Sequence, residues 1–457
     1  MNLKEASDIF VNHVLELGIS LEGFTVYKNG RNIISAQNLP YRLDDAKHVY
    51  SLSKSFCSTA FGLLYDRGII DVNERIVDIF PEKLPKGGIG EKMSQMTVSH
   101  ALSMNTGHEK CVMHEMVTSD DPAAAFLRHE PEYAPGTHFT YNTGATFLVS
   151  ACITKRTGLT AHEVLQKYLF PSLGIENTFW KECHGISEGG VGFSISCKDA
   201  AKLGLLYLQN GVYGGKRLLS EKYIGLATSA VSDNGGNGNP DWCAGYGYQF
   251  WKNYRGGYRA DGAFGQAVLV LPERDTVIAF FSEGDDFQGL LDAAFALSDN
   301  IEKCADNNAE NSFCYKYEPV ISDTDMFLHY GEKYLLDKNG SGSDTLCVNK
   351  TDCGLEINLG ENTVKIQNGA WMPGIMRGEN VKPTLAYFTA THDEPYEFYA
   401  CADVGENRID ITLLGKNCPN NSHISLVFDG GKVNISGTGK FCDNCNFVLN
   451  GKISELK

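Results

Sequence analysis

No stretch of this chain stays apolar for the ~20 residues that a membrane-spanning helix needs. The N-terminal run "MNLKEASDIFVNHVLELGISLEG" carries acids at a helical period. It lacks the basic n-region and apolar h-region of a secretory signal, so a cytoplasmic location is expected. Excess positive charge is also missing: 40 Lys and Arg stand against 56 Asp and Glu, for a net charge of −16. That balance disfavours nucleic acid and anionic lipid as partners. Internal repeats and low-complexity blocks are absent. The 14 cysteines form no recurring pattern. In a reducing compartment they are expected to be free thiols, and those in apolar runs, such as Cys57 and Cys152, act as small hydrophobes.

What the chain does have is length and a change of pattern. Its 457 residues suffice for two or three domains. An opening helix is predicted over about 4–17. "GFTVYKNGRNIISAQN" reads as a hairpin turning at Asn29-Gly30. Residues to about 230 are mainly helical, with "TVSHALSMNTG" capped by Thr97, "TGATFLVSACITKRTG" ended by Gly158, and "SCKDAAKLGLLYLQNG". "GYGYQFWKN", "GGYRADGAFGQAVLVLP" and "DTVIAFFSEG" read as strands, the last two joined by a turn over 272–275, and "FQGLLDAAFALSDNIEKC" as a closing helix. Strands at both ends of a helical middle predict an α+β domain over 1–303, with one antiparallel sheet built from both ends and helices packed on it. The polar stretch 304–318 reads as a linker. From 319 to 457, period-two segments between turns such as Gly360-Glu361-Asn362 and Asp429-Gly430-Gly431 predict an all-β domain, barrel or sandwich.

The chemistry points to "HVYSLSKSFCSTAFGLLYDRG", residues 48–68. A helix is predicted from Ser51 to about Asp66, with Gly68 as its C-terminal cap. Ser51 and Lys54 lie three apart, one turn along a common face. A serine there has free backbone N–H groups and the positive end of the helix dipole beside it. A hydroxyl becomes a nucleophile only beside a base, and a lysine serves when its own pKa is depressed. The spacing is weak evidence by itself, since Ser454 and Lys457 share it at a chain end, and Ser51 could be an ordinary N-cap.

The surrounding segments decide the matter. "VYSLSKSF" resembles the S-x-x-K element of serine β-lactamases and penicillin-binding proteins, nearest to the class C type with its related esterases and peptidases. "TVSHALSMNTGHE", "PGTHFTYNTGATFLVSACITKRTGLTAHEVLQKYLFPSLGIENTFW", "GGVGFSISCKDAAKLGLLYLQNGVYGGKRLLS" and "GYRADGAFGQAVLVLPERDTVIAFFS" resemble later segments of that family in order, over about 15–300. The resemblance implies a β-lactamase/transpeptidase-like sheet flanked by helices with a helical subdomain. It also implies that a tyrosine, here Tyr141, meets the serine and lysine. Tyr133 is the other candidate but lacks the Pro135-Gly136 lead-in. The family's oxyanion hole falls on the backbone N–H groups of Ser51 and Ala263.

Two departures from the family pattern bear on the substrate. The usual Tyr-x-Asn reads Tyr141-Asn142-Thr143, so a hydroxyl stands where the family has an amide. The usual Lys-Thr-Gly or His-x-Gly aligns with Ala260-Asp261-Gly262, so the cation is gone and an acid has entered. Asp261 is expected to repel a substrate carboxylate, unless it is ion-paired outside the pocket. Arg259 is expected on the other face of the strand. Gly262 is expected to let substrate approach the strand closely. These readings place Asn142, Thr143, Asp261 and Gly262 around the substrate and favour a small ester or amide without a carboxylate beside the scissile bond. The rivals are a D-amino-acid peptidase or carboxypeptidase, a weak β-lactamase, and a binding or regulatory protein that keeps the fold without turnover.

Other features carry less. His108, Cys111 and His114 in "GHEKCVMH" have zinc-type side chains but no matching partners elsewhere. Cys442 and Cys445 form a C-x-x-C without a second pair, because Cys347 and Cys353 are wrongly spaced. No metal or cofactor is expected. The sequons at Asn349 and Asn434 mean nothing in an unsecreted chain. The Gly/Asn-rich loop 232–245 either lines the pocket mouth or is a surface loop. Trp242 and Trp251 line an apolar pocket or pack a core. Nothing in the all-β domain's sequence indicates its role.

Overall fold

Asn29 and Gly30 both take positive φ, 51° and 72°, in the tight turn that joins β1 (Ser20–Lys28) to β2 (Arg31–Leu39). This hairpin belongs to a computed structural model that describes residues 1–235, 238–305, 310–337, 343–376, 395–417, 421–439 and 447–454. The chain divides into two compact units. One comprises Met1–Gln37 with His48–Cys314, the other Asn38–Lys47 with Tyr315–Lys457.

The first unit is organised on a seven-stranded sheet. Its C-terminal strands are β3 (Trp251–Lys252), β4 (Tyr258–Gly262), β5 (Gln266–Leu271), β6 (Thr276–Glu283) and β7 (Asn311–Lys316), and the order is β3-β4-β5-β6-β1-β2-β7. β1 pairs antiparallel with β6, Phe24 opposite Phe280, so the sheet closes around strands from both chain ends. Helix α1 (Leu3–Glu16), with its Asn2–Glu5 capping box, packs with the closing helix α5 (Phe287–Glu302).

Two strand expectations change. "GGYRADGAFGQAVLVLP" is not one strand but the hairpin β4–β5, broken where Phe264 (φ 68°) and Gly265 (φ 99°) turn the chain. "GYGYQFWKN" is irregular except at Trp251–Lys252, with Gln249 at φ 67°. Within the stretch read as a linker, residues 311–316 form edge strand β7 with an alternating burial pattern.

The middle of the first unit is helical. In α2 (Ser53–Tyr65) every residue from Ser53 to Leu64 is buried. A helix buried all round must satisfy its hydroxyls internally. Ser55 donates to the Gln249 carbonyl (2.6 Å), Ser58 to the Tyr248 carbonyl (2.7 Å) and Thr59 to the Ser55 carbonyl (2.7 Å). Beyond the helix end, Gly68 adopts φ 66°. α2 packs with α3 (Thr143–Thr157), which Gly158 stops at φ 70°. α4 (Cys197–Leu208), capped by Ser196, lies against β1, β5 and β6.

The second unit is a ten-stranded antiparallel barrel. Its strands in chain order are β8 (Lys333–Leu336), β9 (Thr345–Thr351), β10 (Gly354–Leu359), β11 (Asn362–Gln367), β12 (Met372–Met376), β13 (Tyr396–Gly405), β14 (Arg408–Gly415), β15 (Ser422–Asp429), β16 (Lys432–Gly439) and β17 (Phe447–Ile453). The spatial order is β11-β10-β9-β8-β17-β16-β15-β14-β13-β12. The barrel is nearly closed where β11 and β12 come together. Alternate residues such as Leu346, Val348, Ile409, Ile411 and Ile435 fill its interior. Among the described residues, no helix is long and apolar enough to cross a membrane.

Candidate active site

Ser51 sits in a short 3₁₀ turn, Tyr50–Leu52, that runs straight into α2. Tyr50 holds φ at 46°. A bulky side chain rarely tolerates that region, so the turn is strained just before the serine. The strain is held in place by its surroundings. Ser53 Oγ donates to the Tyr50 carbonyl and accepts from the Phe193 amide, and the Val49 amide donates to the Phe193 carbonyl (2.9 Å).

One turn into α2, Lys54 is 1% exposed. Its ammonium has three N–H groups and three partners: Ser51 Oγ (3.1 Å), Thr143 Oγ1 (3.2 Å) and the Gly190 carbonyl (2.8 Å). Burial pulls the Lys54 pKa down to about 7, against a weaker upward pull from negative groups that include Asp261. Thr143, the first residue of α3, therefore stands against the lysine. Gly190 carried no role in the sequence reading, although its segment resembled the family. A Cβ there would lie 2.7 Å from Thr143 Cγ2 and 3.3 Å from Lys54 Nζ, so only glycine lets this carbonyl reach the lysine.

The Tyr141 hydroxyl hydrogen-bonds Ser51, and the Lys54 ammonium lies 4.8 Å from the Tyr141 ring centroid. Burial, reinforced by Asp261, raises the phenol well above its ordinary pKa of 10. The ring stacks on Trp251 (5.4 Å between centroids, 21°) and meets Tyr246 edge-on (6.3 Å). Ser51, Lys54 and Tyr141 thus come together. Tyr133 does not join them: it is 42% exposed and stacks on His138.

The remaining residues sort differently from the sequence expectation. Asn142 is fully buried and caps α3, its Oδ1 accepting from the amides of Gly144 (3.0 Å) and Val112 (3.2 Å). That role turns it away from substrate. Asp261 is not an unpaired acid, because Arg259 Nε lies 2.7 Å from its Oδ2. Residues two apart on a strand share a face, so Arg259 lies beside Asp261 and not on the opposite side. The guanidinium is fully buried, bonds the Asp241 carbonyl (2.9 Å) and Asn253 Oδ1 (2.9 Å), and lies 4.4 Å from the Trp242 ring centroid. The Trp251 indole also hydrogen-bonds Asp261. The expected carboxylate repulsion therefore loses its basis, since the acid is neutralised where it stands. Nor is the space beside Gly262 open to substrate: a Cβ there would meet the Val49 carbonyl at 2.1 Å. Gly262 lets β4 press against the backbone of the nucleophile turn. Ala263 follows as the first residue of the β4–β5 turn.

Loop 232–245 is tied down at both described ends. Ser232 Oγ donates to the Ser103 carbonyl (2.6 Å), and Asn234 Oδ1 accepts from the Gly245 amide (2.7 Å). Trp242 and Trp251 pack edge-to-face (4.8 Å) around Arg259. His108 is buried and bonds Thr106 Oγ1 and the His129 carbonyl, while Cys111 and His114 are exposed. Among the described residues, no group of three His, Cys, Asp or Glu is placed to hold a metal ion. Cys442 and Cys445 lie outside the described residues.

Known proteins resemble this chain in sequence and in fold. A family model described as Beta-lactamase matches residues 17–299. A 6-aminohexanoate-dimer hydrolase of Paenarthrobacter ureafaciens is 26% identical over 300 residues, covering 58% of this chain and 73% of that protein. The octameric penicillin-binding protein homologue from Pyrococcus abyssi superposes with a TM-score of 0.53 at 16% identity, over 99% of this chain and 100% of its own. A family VIII carboxylesterase superposes with a TM-score of 0.52 at 17% identity, over 65% of this chain and 97% of its own. These two likenesses concern the fold, and the first extends over both units. The family model covers more than half of the chain, and the chain belongs to the beta-lactamase family.

Proposed function

We propose that this protein is a serine hydrolase that cleaves a small ester or amide through an acyl-enzyme on Ser51. The observation that carries the reading is the convergence of Ser51 Oγ, Lys54 Nζ at 3.1 Å and the Tyr141 hydroxyl. With a pKa of about 7, Lys54 is uncharged in part of the molecules at neutral pH and is the general base. Tyr141, raised above its ordinary value, stays protonated and serves as a hydrogen-bond donor and proton carrier. The Ser51 proton passes to Lys54 as Oγ bonds the carbonyl carbon. The tetrahedral oxyanion faces the amides of Ser51 and Ala263. As the C–O or C–N bond breaks, the proton reaches the leaving group by way of Tyr141. Water then attacks the acyl carbonyl as the base takes its proton, and the base returns a proton to Ser51 Oγ as the Oγ–C bond breaks and the acid leaves.

The relative's name, a hydrolase of 6-aminohexanoate dimer, supports a short amide or ester as substrate. Position 260 carries no cation, but Arg259 cancels Asp261, so the charge around the pocket neither attracts nor repels a carboxylate strongly. Substrate choice therefore rests more on shape than on charge. The test is steady-state turnover of p-nitrophenyl esters and matched anilides by wild type and Ser51→Ala. The reading expects release in wild type and a loss of about 10³-fold or more in the variant. Equal rates in the two proteins would contradict it. Carboxylate-bearing and neutral analogues are expected to differ by less than about tenfold, given the weak Coulomb term of a neutralised pair.

A further inference from the structure

Two non-glycine residues of the first unit with left-handed backbones stand on either side of the proposed oxyanion hole. Tyr50 (φ 46°) immediately precedes Ser51, and Phe264 (φ 68°) immediately follows Ala263. Each conformation is strained for a bulky residue and persists only where the surroundings over-determine it. The two rings touch, with centroids 5.1 Å apart at 75°. His48 also meets Tyr50 edge-on (4.3 Å, 72°).

The turn that carries Ala263 is held at every carbonyl. Gln266 Nε2 donates to the Ala263 carbonyl (2.9 Å), the Gly284 amide to Phe264 (3.1 Å) and Ser282 Oγ to Gly265 (2.9 Å). Gln266 is itself fully buried. Beside it, Gly262 presses against the Val49 carbonyl, where a Cβ would come within 2.1 Å. The nucleophile turn and the β4–β5 turn therefore meet along one seam. Backbone contact closes it at Gly262, and ring contact closes it at Tyr50 and Phe264.

We infer that Tyr50 and Phe264 are positioning residues: their edge-to-face contact across this seam fixes the spacing of the Ser51 and Ala263 amides. An oxyanion hole works because its donors need no rearrangement when charge develops. Two amides on separate loops require a device that sets their separation, and this aromatic pair is placed to do so. Such a pair adds attraction beyond its area burial and offsets part of the strain it holds. The inference rests on the hydrolase reading.

The test uses the whole protein and a p-nitrophenyl ester. Phe264→Gly keeps the left-handed backbone accessible and removes the ring, while Phe264→Tyr keeps the ring. Phe264→Gly is expected to lower kcat by about tenfold or more with KM within about twofold, because the contact acts on the transition state. Its affinity for an alkyl boronic acid, which reacts with the serine to give a tetrahedral adduct, is expected to fall by the same factor. Phe264→Tyr is expected to keep both. The double variant Tyr50→Gly/Phe264→Gly is expected to lose no more than the worse single variant, as coupled residues do. Unchanged kcat and boronate affinity in Phe264→Gly would overturn the inference, as would fully additive losses. If Phe264→Gly does not fold, Phe264→Leu is read by the same two measurements. Fluorophosphonate labelling of wild type separates the two claims. Absence of labelling contradicts the hydrolase reading, whereas labelling with normal kinetics in the Phe264 variants contradicts the aromatic seam alone.

Discussion

At residue 54, burial and bonding pull in opposite directions. The ammonium finds three acceptors, yet loss of water lowers its pKa from 10.5 to about 7. The base form is the uncharged one, so kcat/KM is expected to rise with pH and reach half its plateau near pH 7, read from a pH–rate profile. Lys54→Arg, whose guanidinium stays charged, is expected to be inactive. The same depression has a stability consequence. Between the folded pKa of about 7 and the ordinary 10.5, the unfolded chain binds more protons, so stability from this group rises with pH across that window and its penalty is complete below it. Lys54→Met is therefore expected to flatten that rise while abolishing turnover, as followed by denaturant unfolding at several pH values. Arg259 and Asp261 form a buried ion pair. Arg259→Met leaves a buried carboxylate without its partner and is expected to cost about 3–5 kcal/mol, whereas replacing both by apolar residues is expected to cost much less. The serine and lysine were legible in the sequence from spacing and family likeness. The partnership of Arg259 with Asp261 was open to the period-two rule, because residues two apart share a face.

Among the elements, the ends matter more than the interiors. Asn142 caps α3, and that role accounts for its placement better than contact with substrate does. Asn142→Ala is expected to lower stability by about 1–2 kcal/mol with KM unchanged, measured by thermal unfolding and steady-state kinetics. The helices at 143–157 and 197–208 were readable because caps and stops coincide with apolar runs: Gly158 ends one, and Ser196 opens the other. The β4–β5 hairpin was hidden for a physical reason. Its turn centres on Phe264, a residue with no turn propensity, held at positive φ by tertiary contacts that sequence does not display. Gly190 was hidden likewise, since its function is to lack a side chain beside Lys54.

Over the whole molecule, the sheet of the first unit takes two interior strands from the N-terminus. β1 lies between β6 and β2, and β7 from beyond residue 310 adds to the β2 edge. The pattern of strands at both ends of a helical middle was sufficient to expect this. It did not disclose β7, whose polar, Asn-rich surroundings resemble a linker. Deletion of residues 1–40 removes β1 and β2 together, and the remaining first unit is expected to be insoluble or unfolded, as checked by expression and circular dichroism. In the second unit, alternating segments separated by Gly360 and Gly430 announced a β domain, but only strand order distinguishes a barrel from a sandwich, and strand order depends on long-range pairing such as β8 with β17. The beta-lactamase fold thus places one serine, one lysine and one phenol at the junction of α2, α3 and the 3₁₀ turn before α2. Reaction of the intact protein with a fluorophosphonate, mapped by peptide mass spectrometry, tests that placement most directly. A single adduct on Ser51, lost in Ser51→Ala and strongly slowed in Lys54→Met, is the predicted result; an unmodified Ser51, or equal labelling of Ser51→Ala, would contradict it.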